Sequence, residues 1–258
     1  MKVFLASLEM RLATPNKNRV YETILKNIRK VYVLASFFYV RRGKIRQEYT
    51  KFLPMFKDFM LDSGAFSVMV SGKRMPDWNS YIEDYAEYVK ENNIDKFLEL
   101  DIDSVVGHDE VRKLRANLEK KAGKQCIPVW HRPRGKAEFL RLCDEYSYIA
   151  IGGVALKYIR PDEYRYLPYL IDEAHKRECK IHALGFTSTK LLSQYHFDSV
   201  DSSSWSMGRR YGLLYRYANG NISIYPKKKE CRAINVIDLE AHNLEQWMKF
   251  QQYADIKL

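Results

Sequence analysis

Short apolar runs alternate along this chain with longer, charged stretches of helical periodicity, and no other feature constrains the fold as strongly. The runs are Val3–Ala6, Val31–Ala35, Phe59–Leu61, Phe97–Leu100, Ile127–Trp130, Tyr148–Ile151, Ile181–Leu184 and Asp198–Val200, eight in all. Between them, Asn79 to Glu91 sets Tyr81, Ile82, Tyr85, Ala86 and Val89 at helical spacing, with Glu83, Asp84, Glu87 and Lys90 on the other side. His108 to Lys121 does the same with Val111, Leu114 and Leu118, Pro161 opens a further helix, and a last one runs from about Asp238 to Tyr253. Strand then helix, repeated, predicts parallel strands with crossover helices. Eight repeats in 258 residues predict an α/β fold of the (β/α)8 TIM-barrel type, a closed barrel and not an open sheet. Two more runs, Gly212–Tyr217 and Ile222–Tyr225, flank Asn219-Gly220, a hairpin signal. The expectation is one domain over 1–258, with residues 211–258 forming a β-hairpin and C-terminal helix of the same unit.

Composition limits the partners. Hydrophobic residues make up 46% of the chain, too many for disorder. The formal net charge of +11 fits a polyanionic partner, since Lys and Arg neutralise phosphates and release counterions; a basic surface kept for solubility fits equally. Four cysteines, Cys126, Cys143, Cys179 and Cys231, include no C-x-x-C pair, which argues against a zinc site on that spacing and against a disulfide framework. Reduced thiols, no signal-peptide pattern and no membrane-length apolar run lead us to expect a cytoplasmic protein with no membrane partner.

In a barrel, chemistry collects where strands end and the following loops begin. Run three ends in Asp62-Ser63-Gly64-Ala65-Phe66-Ser67, run four in Asp101-Ile102-Asp103 and run five in His131-Arg132. Run six ends in Gly152-Gly153, run seven in Gly185 and run eight in Asp201-Ser202-Ser203-Ser204-Trp205. One aspartate after an apolar strand is as readily a loop starter or helix cap. Three of them, Asp62, Asp101 and Asp201, would converge on one mouth and perturb each other's ionisation. A metal is the rival reading of paired carboxylates, because Asp101-x-Asp103 puts both side chains on one side of an extended segment, but no His-x-His accompanies them.

These segments resemble the tRNA-guanine transglycosylase superfamily, in particular its phage and bacterial DpdA-like branch, which inserts 7-deazaguanines into DNA. The matching blocks are Leu61-Asp62-Ser63-Gly64-Ala65-Phe66-Ser67, Leu100-Asp101-Ile102-Asp103, Ala150-Ile151-Gly152-Gly153-Val154-Ala155, Ala183-Leu184-Gly185-Phe186 and Phe197-Asp198-Ser199-Val200-Asp201-Ser202. They occur in family order over roughly residues 59 to 205. The resemblance implies exchange of guanine for a 7-deazaguanine such as 7-cyano-7-deazaguanine. It implies Asp201 as nucleophile, Asp62 as the acid/base partner, and Asp101, with Asp103 as substitute, reading the purine edge. Ser63, Gly64, Phe66, His131, Gly152, Gly153 and Gly185 would line the base site. Candidates to grip phosphates are Arg41, Arg42, Arg132, Arg134, Arg209, Arg210, Lys227, Lys228 and Lys229, and Trp205 and Tyr211 are candidates to stack on bases or to pack in the core.

Two departures from the family stand out. The tRNA enzymes carry a C-x-C-x-x-C zinc cluster after the nucleophile strand, where this chain has only Cys231, so no zinc and no other cofactor is expected. They place a glutamine where this chain has His131. DNA is therefore the expected substrate, with helper proteins an open part of the partner set. The same exchange on tRNA, a metal- or phosphate-dependent barrel hydrolase and a non-catalytic basic nucleic-acid-binding barrel are the alternatives.

Overall fold

A computed structural model describes residues 1–14, 19–70, 75–153, 159–226 and 236–258. Seven of the eight apolar runs form strands: β1 (Lys2–Leu5), β2 (Tyr32–Ser36), β3 (Asp58–Asp62), β4 (Val129–Trp130), β5 (Tyr148–Ile151), β6 (Lys180–Ala183) and β7 (Ser199–Ser202). They make one curled parallel sheet in the order β3-β2-β1-β7-β6-β5-β4. The remaining run, Phe97–Leu100, is not a strand. It carries single parallel bridges, Leu61↔Phe97 towards β3 and Leu98↔Ile127 towards the segment entering β4. Leu98 N–H donates to Leu61 O at 2.9 Å and Ile127 N–H to Phe97 O at 2.7 Å, so this run touches both ends of the sheet. The Tyr85 hydroxyl lies 3.0 Å from Leu61 O and 2.9 Å from Leu98 O, tying the run to β3 from the helix side.

Strand geometry divides the core in two. Side chains alternate between faces along a strand. Val3, Leu5, Val33, Ala35, Leu61, Ile149, Ile151, Ile181 and Val200 join the large cluster shared with the surrounding helices. Phe4, Tyr32, Leu34, Met60, Leu98, Ile127, Val129 and Ala150 form a second cluster inside the curl of the sheet. The helix Trp78–Glu91 starts at Asp77, which caps the Ser80 amide at 3.1 Å, and it buries Tyr81, Ile82, Tyr85, Tyr88 and Val89. His108–Ala122 ends at Gly123 in the left-handed conformation. After Pro161 the chain first makes a tight 3-10 turn, Pro161–Tyr166, and then the helix Leu167–His175.

The appended hairpin has the expected form. β8 (Leu213–Ala218) and β9 (Asn221–Pro226) pair antiparallel around Asn219 and Gly220, whose φ values of 49° and 76° are those a two-residue turn of matching twist requires. The C-terminal helix Val236–Lys257 covers the β8 edge with side-chain amides: Asn243 Oδ1 accepts from Tyr215 N–H at 2.9 Å and Gln246 Oε1 from Tyr217 N–H at 3.0 Å. Among the described residues no helix is long and apolar enough to cross a membrane.

Candidate active site

Alternation carries four of the sequence candidates to one face of the sheet. Asp62 lies two residues beyond Met60, His131 two beyond Val129, Gly152 two beyond Ala150 and Asp201 two beyond Ser199, all on the interior face at the C-terminal ends of the strands. The Asp62 carboxyl is pushed up to about 8. Burial is the largest cause and the Asp101 charge the next; Asp201 and Glu9 add to it, against a hydrogen bond that Gly64 N–H donates to Asp62 Oδ2 at 2.9 Å. Asp101 Oδ2 is 3.5 Å from Nε2 of the buried His131. Asp201 Oδ1 accepts the Gly185 amide at 2.6 Å and lies 3.3 Å from His182 Nε2. A cavity of about 240 Å³ opens beside Asp101 and His131, with Met69, Ser104 and Pro133 among its walls. Another, of about 290 Å³, sits at the strand starts between Tyr32, Lys57, Gln251 and Asp255, remote from these carboxylates.

Several candidates have local jobs. Asp103 is held by Arg134 in a fork, Nε to Oδ1 at 2.8 Å and Nη2 to Oδ2 at 2.7 Å, on the wall of the cavity that Asp101 also lines. Arg134 itself is buried against Glu99 and Asp103 and does not face a phosphate backbone. The Ser63 hydroxyl accepts from Ala65 N–H and the Ser63 carbonyl from the Tyr81 hydroxyl, which makes it a structural residue of the turn after β3. Trp205 is a core residue: it is fully buried and donates its indole N–H to Ala6 O at 2.7 Å. Phe66 is 46% exposed on the short helix that follows Asp62, and Tyr211 is 60% exposed. Arg132 is exposed and pairs with Glu163 at 2.5 Å. Arg209 and Arg210 lie in the helix Ser204–Tyr211, while Lys227, Lys228 and Lys229 fall outside the described residues.

The first glycine of the pair after β5 serves the histidine. A Cβ at Gly152 would stand 2.5 Å from His131 Cε1 and 2.8 Å from Val129 Cγ1. Gly152→Ala is therefore expected to displace the His131 ring and cost about 1–3 kcal/mol, read by chemical denaturation. An unchanged midpoint would mean that the ring yields freely. Gly153 is buried beside it, and Gly185 serves through its amide.

Sequence reasoning missed four groups. Glu9 is buried, accepts Ser36 N–H at 2.6 Å, and is pushed up to about 7 by burial against that hydrogen bond. Glu99, fully buried, accepts from Arg115 Nη1, Arg134 Nη1 and Val129 N–H. Arg115 had a signal: it occupies a position on the apolar stripe of its helix, beside Val111, Leu114 and Leu118. His182 had one too, as a polar residue inside an apolar run.

No family model and no curated protein matches the chain. Among solved structures it is similar to a putative fructose-1,6-biphosphate aldolase from Coccidioides immitis, at 11% identity over 99% of this chain and 92% of that one, with a TM-score of 0.54. It is also similar to the carboxyl transferase domain of Rhizobium etli pyruvate carboxylase, as solved with pyruvate and biocytin, at 12% identity over 98% of this chain and 47% of that one, with a TM-score of 0.50. The same domain with 3-hydroxypyruvate matches at 13% identity, over 98% and 48%, with a TM-score of 0.48. The chain spans about half the length of the carboxyl transferase chains it matches. At such identities the likeness speaks to fold alone, and that fold is TIM-barrel-like.

The raised carboxyls have a consequence for stability. A carboxyl that holds its proton more tightly folded than unfolded contributes fully below its unfolded pKa, near 4, and loses that contribution as pH rises towards the folded value. For Asp62 the window runs from 3.8 to about 8, and for Glu9 from 4.5 to about 7. Asp62→Asn is expected to exceed the native protein in stability at pH 8 by ~1–3 kcal/mol, after discounting for partial solvent access, and to match it near pH 4. Urea unfolding at both pH values measures this. An equal offset at the two would remove Asp62 as its source.

Proposed function

We propose that this chain is a pentosyltransferase that exchanges guanine in DNA for a 7-deazaguanine through a covalent aspartyl-sugar intermediate. The observation that carries the reading is the placement of Asp62 and Asp201 on one interior face at the C-terminal strand ends, where burial and the Asp101 charge push the Asp62 carboxyl up to about 8. Such a group is protonated at neutral pH and can act as a general acid. We also infer that Phe97–Leu98, bridged on both sides, is the eighth stave of a closed barrel.

In this reading Asp201 attacks C1′ of the target nucleoside. The C1′–N9 bond breaks, its electron pair stays on the purine, and Asp62 supplies the proton that the departing guanine needs. The incoming 7-deazaguanine passes a proton to Asp62 and attacks C1′ through its own ring nitrogen. The C1′–O bond to Asp201 then breaks, and two inversions leave the configuration retained. Asp101 accepts the N–H donors of the purine edge, with His131 beside it. The base must leave the stack to reach the pocket, which costs a few kcal/mol, and a chain of net charge +11 can offset this at the phosphates.

The test supplies 7-cyano-7-deazaguanine together with DNA or tRNA carrying labelled guanine. Guanine release from DNA supports the reading. Release from tRNA alone selects the same chemistry on the other polymer, and release from neither sinks both.

A further inference from the structure

The two oxygens of Asp201 are not equivalent. Oδ1 takes the Gly185 amide at 2.6 Å and faces His182 Nε2 at 3.3 Å. His182 is fully buried on β6, one strand from the nucleophile, with its ring edge-on to Phe4 at 6.0 Å. Its Nδ1 lies 2.5 Å from the Ser199 hydroxyl, which in turn lies 2.5 Å from the Tyr148 hydroxyl. Nε2 has no hydrogen bond of good geometry; the Asp201 oxygen at 3.3 Å is the carboxylate that faces it.

The direction of this chain follows from its carboxylate end. The Tyr148 and Ser199 hydroxyls can each donate or accept, so neither fixes the polarity. With Asp201 Oδ1 facing Nε2, the favoured arrangement has Ser199 donating its proton to His182 Nδ1. An imidazole that accepts at Nδ1 carries its proton on Nε2, the nitrogen that faces Asp201. The opposite polarity would set a ring lone pair against a carboxylate oxygen with no proton between them.

We propose that His182 is a positioning residue for the nucleophile: with the Gly185 amide it holds Oδ1 and leaves Oδ2 as the oxygen that bonds to C1′. This rests on the transglycosylase reading. In the glycosyl ester Oδ1 is the carbonyl oxygen, still facing both donors. When the second base attacks, the C1′–Oδ2 bond breaks and its electron pair returns to the carboxylate, whose charge the two donors stabilise. The effect falls on turnover and not on nucleic-acid binding.

Two measurements test it. Long-range proton–nitrogen correlation on histidine-labelled native protein reads the ring directly, without catalysis. A His182 protonated at Nε2 alone is expected, and a proton on Nδ1, with or without one on Nε2, overturns the proposal. In base exchange, His182→Leu is expected to lower kcat about 10²-fold with KM for the nucleic acid unchanged, while His182→Gln, whose amide can donate from a similar position, recovers most of it. Tyr148→Phe, remote from the substrate and conservative in shape, is expected to lower kcat by a smaller factor of about 3–10. Native protein that releases no guanine overturns the transglycosylase reading and this role with it. Active native protein with His182→Leu equally active, or with kcat and KM failing together and no recovery in His182→Gln, overturns the positioning role alone.

Discussion

Asp201→Asn is expected to lower base exchange by about 10³-fold or more, with the fold and nucleic-acid affinity unchanged. The amide oxygen can still accept the Gly185 N–H that Oδ1 now accepts at 2.6 Å, so the loop after β6 keeps its anchor. What disappears is the charged oxygen that captures the sugar cation. Asp62→Asn is expected to fall by about 10²–10⁴-fold for a different reason, the loss of the proton for the departing purine. The two failures separate when the leaving base is changed. A nucleoside whose base departs without protonation should restore release in Asp62→Asn and leave Asp201→Asn inactive. Single-turnover release, with mass spectrometry for the protein–sugar adduct, reads both. Rescue of both variants, or of neither, would break the assignment of acid and nucleophile.

The placement of the candidate side chains was legible wherever strand alternation decides it. Asp62 and Asp201 end apolar runs in phase with Met60 and Ser199, so a strand at the expected place has to turn them inwards. The Asn219-Gly220 hairpin was legible because its φ values tolerate few other residue pairs. Run four was less so. Phe97–Leu100 is expected as a strand, whereas its backbone forms only isolated bridges and its Glu99, which the run's pattern does not single out, is fully buried. The reason lies elsewhere in the chain, in Arg115 and Arg134, and a local pattern cannot say which cations reach a given anion. Asp103 shows the same limit: spacing put it beside Asp101, and only the fold reveals that Arg134 holds it.

Glu99 is where the largest loss of stability is expected. It is fully buried, and the side chains of Arg115 and Arg134 are 5% and 2% exposed. With Asp103 they form a neutral quartet of two carboxylates and two guanidiniums. Removing one member of a buried group strands the charge of another, which costs about 3–5 kcal/mol. Glu99→Leu should reach that range, since it also takes the acceptor from Val129 N–H at the start of β4. Glu99→Gln can keep the Val129 bond and should cost less. Combining Glu99→Leu with Arg115→Leu and Arg134→Leu should return part of the stability, because no unpaired buried cation remains and the Asp103 carboxylate that loses Arg134 is 23% exposed to water. Activity should not return with it. Arg134 holds Asp103 at the mouth of the cavity that Asp101 and His131 also line, and leucine cannot supply that fork. Chemical denaturation and base exchange, measured on the same three proteins, separate the two roles. If the triple variant regains both, the quartet is dispensable to the site. If it regains neither, the cost of Glu99→Leu comes from the β4 amide and the packing around it, and not from stranded charge.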